Sequence, residues 1–250
     1  AERRNRELKS HADAWAGLDE NRALEISRSI SDPFLKALAL CGVARSAHNK
    51  EKAGAILSEA WGAAETMAPS YAQAKAFIHI AAAAAQILSQ ERTAWKEKAL
   101  EKIQTLENPQ LKSFALQEMV FQWAALDGQQ AERLAGEISP LFPEARAYSF
   151  IYLSGKAGEK GQGLGLLKKA LAETAKVADP FEAQKIRRLI GMGLARLDPA
   201  ETFRLLPEIA DPYYRSEILG VLAMEFSKKD KRKALDLAEK IPLEDLRTRI

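Results

Sequence analysis

The sequence predicts an all-α protein, an α-solenoid of about six stacked helical hairpins that coil into a right-handed superhelix. Three observations predict it. The 250 residues include 44 alanines and 31 leucines, which favour helices, whereas aromatic side chains make up only 7%. A proline-containing phrase recurs along the chain, and apolar residues recur at helical spacing after each proline. We expect residues 1–250 to form a single repeat domain, either complete or part of a longer chain.

The recurring phrase is an apolar residue followed closely by Asp or Asn and then Pro. The clear copies are Asp32-Pro33, Asn108-Pro109, Asp179-Pro180 and Asp211-Pro212, and the weaker ones contain Pro69, Pro143 and Pro242. The six intervals from Pro33 to Pro242 average about 35 residues. Asp or Asn caps the free N–H groups of a helix start, and Pro is tolerated in the first turn. Each phrase therefore predicts the start of the first helix of a hairpin.

The residues after the prolines align in three columns that predict a buried helix face. The first column is large and apolar: Leu40, Phe77, Leu116, Phe150, Leu189 and Leu219. The second follows three residues later, as one helical face requires: Val43, Ile80, Met119, Leu153, Met192 and Leu222. The third is mostly small: Ala44, Ala81, Val120, Ser154, Gly193 and Ala223. Small side chains there allow two helices to approach closely.

A second periodic segment in each repeat predicts the other helix of the hairpin. The clearest of these segments are 52–67, 94–106, 164–177, 201–209 and 232–241. Residues 7–18 predict an incomplete unit before the first repeat, and the glycine-rich segment 155–165 predicts a turn between hairpins. Since neither helix of a hairpin can bury its apolar face alone, neighbouring hairpins must stack.

Individual positions resemble two families of helical repeats. Several residues resemble the tetratricopeptide repeat in type and order: Leu40, Ala44, Glu51-Lys52-Ala53, Leu57 and Ala60. Leu219-Gly220 is similar to the Leu-Gly pair of that repeat. Asp211-Pro212 with Arg215 is similar to the HEAT repeat instead. The chain therefore resembles a tetratricopeptide-like or HEAT-like solenoid. The resemblance is to a divergent member, because the tryptophan and tyrosine of the tetratricopeptide repeat are absent. This resemblance implies binding of a protein or peptide on a curved surface.

Charge and cysteine content leave the partner open. The 37 Lys and Arg against 34 Asp and Glu give a net charge of +3, which is too small to imply nucleic acid or an anionic membrane by itself. Cys41 is the single cysteine, so an internal disulfide and a multi-cysteine metal site are excluded. Its apolar neighbours predict a buried, inert thiol.

Hydropathy and the first residues bear on localisation. No apolar run reaches the roughly eighteen residues that span a bilayer, so we expect a soluble protein without membrane insertion. The chain begins Ala-Glu-Arg-Arg, which fits either a mature protein that has lost a signal peptide or a trimmed chain. A cytoplasmic and a periplasmic or secreted location both stay open, as does the oligomeric state.

The most suggestive polar feature is a column soon after each proline, which we call the basic column: Lys36, Gln73, Lys112, Arg146, Lys185 and Arg215. On a concave surface these cations would bind an acidic peptide or a carboxylate through charge-assisted hydrogen bonds. The favoured alternative is an internal ladder in which each cation pairs with a cap residue such as Asp32, as the HEAT resemblance implies. The candidate partner-binding residues are Lys36, Lys112, Arg146, Lys185, Arg215 and Tyr214.

Tyr214 belongs to this set because aromatic side chains dominate many protein interfaces. Tyr213 and Tyr214 are adjacent, and adjacent helical residues point about 100° apart. We therefore expect one of them to be exposed. Trp61, by contrast, follows an apolar helical stretch and is expected in the core.

The sequence offers little support for a catalytic or metal site. The three histidines are far apart, and the acidic pairs Asp19-Glu20 and Glu244-Asp245 have nothing that would bring them together. We predict no catalytic, cofactor or metal site, and His79 is expected to be a satisfied core histidine. The expected function is a non-enzymatic scaffold for an acidic partner peptide or helix. One alternative is a nucleic-acid or polyanion binder that uses the basic column and residues 228–233, and a second is an all-α enzyme.

Overall fold

The clear proline phrases begin helices because their Asp or Asn side chains cap free N–H groups. In this computed structural model, Asp32 accepts a hydrogen bond from the backbone N–H of Leu35 at 2.8 Å, and Pro33 lies in the first turn. Asp211 caps its helix in the same way. The weaker copies differ: Ser70 caps the helix after Pro69, and the helix at Pro143 has no side-chain cap. The copy at Pro242 lies outside the described residues.

The structure describes residues 2–241, and every regular element in this range is helical. The chain forms two compact units, Ala1–Leu126 and Asp127–Ile250. The first contains α1 (Glu2–Trp15), α2 (Glu20–Ser29), α3 (Pro33–Ser46), α4 (Lys50–Glu65), α5 (Tyr71–Ile87), α6 (Arg92–Gln104) and α7 (Pro109–Trp123). The second contains α8 (Gly128–Glu137), α9 (Pro143–Ser154), α10 (Lys160–Thr174), α11 (Pro180–Leu197), α12 (Pro199–Leu205), α13 (Pro212–Ser227) and α14 (Lys231–Glu239). The all-α prediction is confirmed. That residues 1–250 form a single domain stays a prediction.

Within each unit, helices adjacent in sequence pair as hairpins and the first helices of successive hairpins also touch. In the first unit α1 packs on α2, α3 on α4 and α5 on α6, while α3 also contacts α1 and α5, and α5 contacts α7. In the second unit α9 packs on α10, α11 on α12 and α13 on α14, and α11 contacts both α9 and α13. This is the order of contacts that stacked hairpins predict. Among the described residues, no helix combines the length and apolarity needed to cross a membrane.

The predicted core columns are buried in the other first helices, apart from the half-buried Ser154 of α9, but not in α11. Leu189 and Met192 are half-buried there, whereas Ile190 and Gly191 are buried. Counted from Pro180, Ile190 and Gly191 hold the places that Val43 and Ala44 hold counted from Pro33. The alignment of α11 in the sequence was therefore wrong by two residues, because it followed the nearest large apolar residue rather than the proline.

The predicted glycine-rich turn is only partly correct. A turn does separate α9 from α10, but α10 begins at Lys160 and contains Gly161, Gly163 and Gly165. Gly163 is buried, and a Cβ atom built on it would lie 3.0 Å from Leu197 Cδ1 and 3.4 Å from the carbonyl oxygen of Ser154. At Gly163 close packing explains the glycine; the low helix propensity of glycine is overridden by tertiary contacts.

Candidate functional site

Three members of the basic column bind the end of the preceding helix or segment. The side chain of Gln73 donates to two carbonyl oxygens at the end of α4, at 2.9 and 3.2 Å. Lys112 donates to the Gln104 carbonyl at the end of α6, and Arg215 to the Ala210 carbonyl before α13, both at 3.5 Å. Carbonyl groups at a helix end lack partners and carry partial negative charge. These side chains satisfy them and fix one helix to the next.

The other members of the column make different contacts. Arg146 forms an ion pair with the buried Glu173 of α10 at 3.3 Å. Lys185 pairs with Glu182 of its own helix at 3.0 Å. Lys36 is half-buried and lines an open depression of about 400 Å³ together with Glu59. The cap residues expected to pair with these cations accept hydrogen bonds from the backbone N–H groups of their own helices instead.

Lys185 differs from the rest because it lies two positions further along its helix. Lys36, Lys112, Arg146 and Arg215 are the third residue after their prolines, whereas Lys185 is the fifth after Pro180. Two residues correspond to about 200° of rotation around a helix. Lys185 therefore lies on the side of α11 that faces away from the buried Ile186 and Ile190.

A stripe of four residues runs along this side of α11. Phe181, Lys185, Arg188 and Met192 are spaced i, i+4, i+7 and i+11, the spacing of one helical face. Phe181 is 60% exposed, and the Lys185 amine lies 4.7 Å from the centre of its ring. The stripe combines an aromatic ring, two cations and a methionine on one accessible surface.

Side chains from α9 and α13 extend the stripe into a surface. Tyr148 of α9 donates a hydrogen bond to Glu182 Oε1 at 2.6 Å. From α13, Glu217 pairs with Arg188 at 2.6 Å, and the Tyr214 ring centre lies 5.3 Å from the Arg188 guanidinium carbon. Tyr213, 48% exposed, meets Tyr214 edge-on. We call this surface the aromatic face, formed by Tyr148, Phe181, Glu182, Lys185, Arg188, Tyr213, Tyr214 and Glu217.

The polar groups of the aromatic face tune one another. Burial, together with the hydrogen bond to Glu182, raises the pKa of the Tyr148 hydroxyl. The hydrogen bond from Tyr148, and next the one from Lys185, holds the pKa of the Glu182 carboxyl below its ordinary value. The hydrogen bond between Lys185 and Glu182 also raises the pKa of the Lys185 amine. At neutral pH Glu182 and Lys185 are therefore both charged, and Tyr148 keeps its proton.

The first unit has a polar contact of the same kind between α5 and α7. Glu118 of α7 lies 3.1 Å from His79 Nε2 and 3.5 Å from Lys75 Nζ, both on α5, and accepts a hydrogen bond from Gln122. The contact with His79 is the main reason that the pKa of Glu118 falls to about 2. His79 is half-buried and satisfied by Glu118, in a contact between helices rather than in the core.

Of the other predicted features, several have local partners. In the basic segment 228–233, Lys228 pairs with Glu225 at 2.9 Å, and Lys233 lies 4.2 Å from the Phe226 ring centre. Trp61 is half-buried against Phe77. No group of His, Cys, Asp and Glu that could hold a metal occurs within residues 2–241. The pair Glu244-Asp245 lies outside the described residues.

Lys185 and Tyr214 of the aromatic face belong to the predicted partner-binding set, and Tyr213 belongs to the tyrosine pair of which one member was expected to be exposed. The other members were not predicted as partner contacts. The i, i+4, i+7 spacing of Phe181, Lys185 and Arg188 was a usable signal, because these residues share a face in any helix that starts at Pro180. The bond from Tyr148 to Glu182 gave no signal, since its partners are 34 residues apart on different helices.

Comparisons with known proteins add no function. No family model matches the chain, and no match was found among the curated proteins. Among solved structures, a match was found with the crystal structure of Ton1535 from Thermococcus onnurineus NA1, with 13% sequence identity and a TM-score of 0.46 over 92% of this chain and 93% of that one. Functional inference therefore rests on the residues of this chain.

Proposed function

We propose that this protein is a non-enzymatic scaffold that binds a segment of a partner protein on the aromatic face. The observation that carries the proposal is the grouping of four aromatic rings from α9, α11 and α13, the first helices of three successive hairpins, in a chain with only 7% aromatic residues. Tyrosine, phenylalanine, methionine and arginine are enriched at protein interfaces, and tyrosine and arginine dominate their energetics. Met192, one turn from Arg188, and Tyr152, one turn from Tyr148, extend the surface along α11 and α9.

Pre-organisation supports the same function. Tyr148 and Arg188 are held by carboxylates of neighbouring helices, at 2.6 Å in each case. Side chains fixed before binding lose less conformational entropy when a partner arrives. A surface built this way suits binding of a preformed or folding segment, with few rotamers left to order.

The arrangement of helices agrees with the proposed tetratricopeptide-like or HEAT-like repeat. Each first helix of the second unit contacts the next, α9 to α11 and α11 to α13, so the faces of successive first helices adjoin. The stacked repeats of an α-solenoid create an extended curved binding surface. We propose that the aromatic face is part of such a surface, along which a partner segment can contact several repeats.

Selection of displayed peptides tests the proposal. The full chain is panned against random 16-residue peptides held between fixed linkers, and binders are measured against wild type and the variant Phe181→Ser/Tyr213→Ser. Leu141→Ser/Leu235→Ser is the matched control, because it removes two exposed apolar side chains elsewhere in the same unit. We expect the face variant to bind at least tenfold more weakly than wild type. The control should bind as tightly as wild type. Equal binding by all three proteins would exclude the aromatic face.

Polyanion binding is the alternative that the same protein can test. Cations of the second unit have local partners, such as Glu225 for Lys228 and Glu217 for Arg188, which lowers the positive charge available to phosphates. A fluorescent 20-nucleotide RNA titrated at about 50 and 200 mM salt distinguishes the two functions. Tight binding that collapses at the higher salt would favour the polyanion alternative over a protein partner.

A further inference from the structure

The ion pairs of the aromatic face expose their cations more than their carboxylates. The Lys185 side chain is 42% exposed and that of Glu182 is 24%. The corresponding values are 27% for Arg188 and 21% for Glu217. The carboxylates lie deeper among the helices, so an approaching molecule meets positive charge first.

The hydrogen bonds of the aromatic face also favour an anionic ligand. Glu182 accepts a hydrogen bond on each of its two oxygens, from Tyr148 and from Lys185. A lysine amine has three donor hydrogens and a guanidinium has five, and Lys185 and Arg188 each donate one hydrogen bond to a carboxylate of the face. The unused capacity of the surface is therefore mainly that of a donor, and it favours an anionic acceptor.

The aromatic rings beside the cations define the rest of the ligand. Phe181 lies against Lys185 and Tyr214 against Arg188, with the cations 4.7 and 5.3 Å from the ring centres. When apolar groups cover these rings and exclude water, charge-assisted hydrogen bonds at their centre become stronger. Lys185 and Arg188 are about one helical turn apart, a separation that one carboxylate can bridge.

We propose that Lys185 and Arg188 bind an Asp or Glu side chain within the partner segment, whose apolar neighbours cover Phe181, Tyr213 and Tyr214. The inference rests on the proposed function and adds the chemistry of the partner: an internal acidic residue flanked by apolar ones. A polyanion does not fit this surface, because it would place further phosphates on aromatic rings and near Glu182.

The peptides selected above test this inference, since their fixed linkers leave no terminal carboxylate available. We expect Asp or Glu next to apolar residues among the binders. A double-mutant cycle then pairs Glu→Gln in a binding peptide with Lys185→Gln/Arg188→Gln in the protein. Each change alone is expected to weaken binding about tenfold, and both together little more than either one. Lys160→Gln/Lys168→Gln, which changes two exposed lysines of α10, is the matched control and should bind as wild type does.

Thermal unfolding of each variant shows whether it is folded. If the double variant is unstable, the cycle is repeated with Lys185→Gln alone, which changes an exposed side chain. Two results would overturn the acidic site but leave the aromatic face as a docking surface. One is a set of binders without acidic residues. The other is a double variant whose loss of affinity equals the product of the two single losses. Failure to select any peptide, or binders indifferent to Phe181→Ser/Tyr213→Ser, would overturn both the acidic site and the proposed function.

Discussion

The side chain of Asn5 accepts hydrogen bonds from both the backbone N–H and the hydroxyl of Ser31, at 3.2 and 3.1 Å. Asn5 lies on α1, and Ser31 lies two residues before the proline that starts α3. In the second unit Gln184 of α11 accepts a hydrogen bond from the N–H of Ala210, two residues before the proline that starts α13, at 2.9 Å. Donor and acceptor are 26 residues apart in both cases. An amide on one first helix thus fixes the start of the next.

Replacing Asn5 with alanine should destabilise the protein. Asn5 is buried, and its loss removes two hydrogen bonds to Ser31, each of which contributes about 0.5–1.5 kcal/mol. Urea unfolding followed by circular dichroism measures the change. Asn21→Ala is the control, because Asn21 is exposed on α2, and it should stay within about 0.5 kcal/mol of wild type. Equal stabilities of the two variants would show that the amide contact is dispensable.

The basic column should affect stability unevenly. Gln73 is half-buried and donates two hydrogen bonds of 2.9 and 3.2 Å, whereas Arg215 is exposed and makes one contact of 3.5 Å. We expect Gln73→Ala to lower the free energy of unfolding by about 1 kcal/mol and Arg215→Ala by less than about 0.5 kcal/mol. Peptide binding is measured on the same proteins. Weaker binding by Arg215→Ala at unchanged melting temperature would return Arg215 to the ligand site.

Glu118 should make stability depend on acid. Its pKa is lowered to about 2 in the folded protein from an ordinary value of 4.5, so its contribution is fully present above about pH 4.5 and is lost as the pH falls towards 2. The groups that face it are Lys75, His79, Gln122 and, more distantly, Tyr71. Glu118→Gln should be about 1–2 kcal/mol less stable than wild type at pH 7, after allowance for solvent screening, and equally stable near pH 2.

Chemical denaturation at several pH values measures this difference for Glu118→Gln and for the control Glu101→Gln. Glu101 is exposed on α6, so its replacement should leave the pH profile unchanged. A constant difference between wild type and Glu118→Gln from pH 7 to pH 2 would mean that the carboxylate contact with α5 adds no pH-dependent stability.

Local chemistry explains which parts of the fold were predictable. Cap residues such as Asp32 and Asp211 act on their own helices, so helix starts are visible in the sequence. The register of α11 was also visible, because counting from Pro180 places Ile190 and Gly191 at the buried positions, but the equally apolar Leu189 was chosen instead. The aromatic face depends on contacts such as Tyr148 to Glu182 between distant segments, and single-chain periodicity carries no information about them.

Cys41 should be inert in the folded protein. It is buried in α3, and burial raises the pKa of its thiol to about 12, so almost no thiolate is present at neutral pH. A chromogenic disulfide reagent should not react with native protein within an hour, yet should titrate one thiol per chain in concentrated guanidinium. Rapid reaction of the native protein would indicate that α3 opens locally on that timescale.

Two glycines of the second unit should respond to alanine in opposite directions. Gly191 of α11 faces α13, and a Cβ atom there would lie 2.6 Å from Cδ1 and 3.1 Å from Cγ1 of the buried Ile218. Because Ile218 is fully buried and two of its atoms would have to shift, Gly191→Ala should destabilise the protein by about 1–3 kcal/mol. Gly165 lies inside α10 with nothing within 4 Å of its Cβ position, so Gly165→Ala should stabilise by about 0.5–1 kcal/mol through helix propensity.

Both substitutions add one methyl group to a helix, so the difference between them isolates the approach of α11 to α13. Thermal unfolding of the two variants and wild type under one buffer condition gives the comparison. A stable Gly191→Ala protein would mean that α11 and α13 can separate at little cost. Since Arg188, Tyr214 and Glu217 meet across the same pair of helices, such a result would also remove the rigid support of the aromatic face.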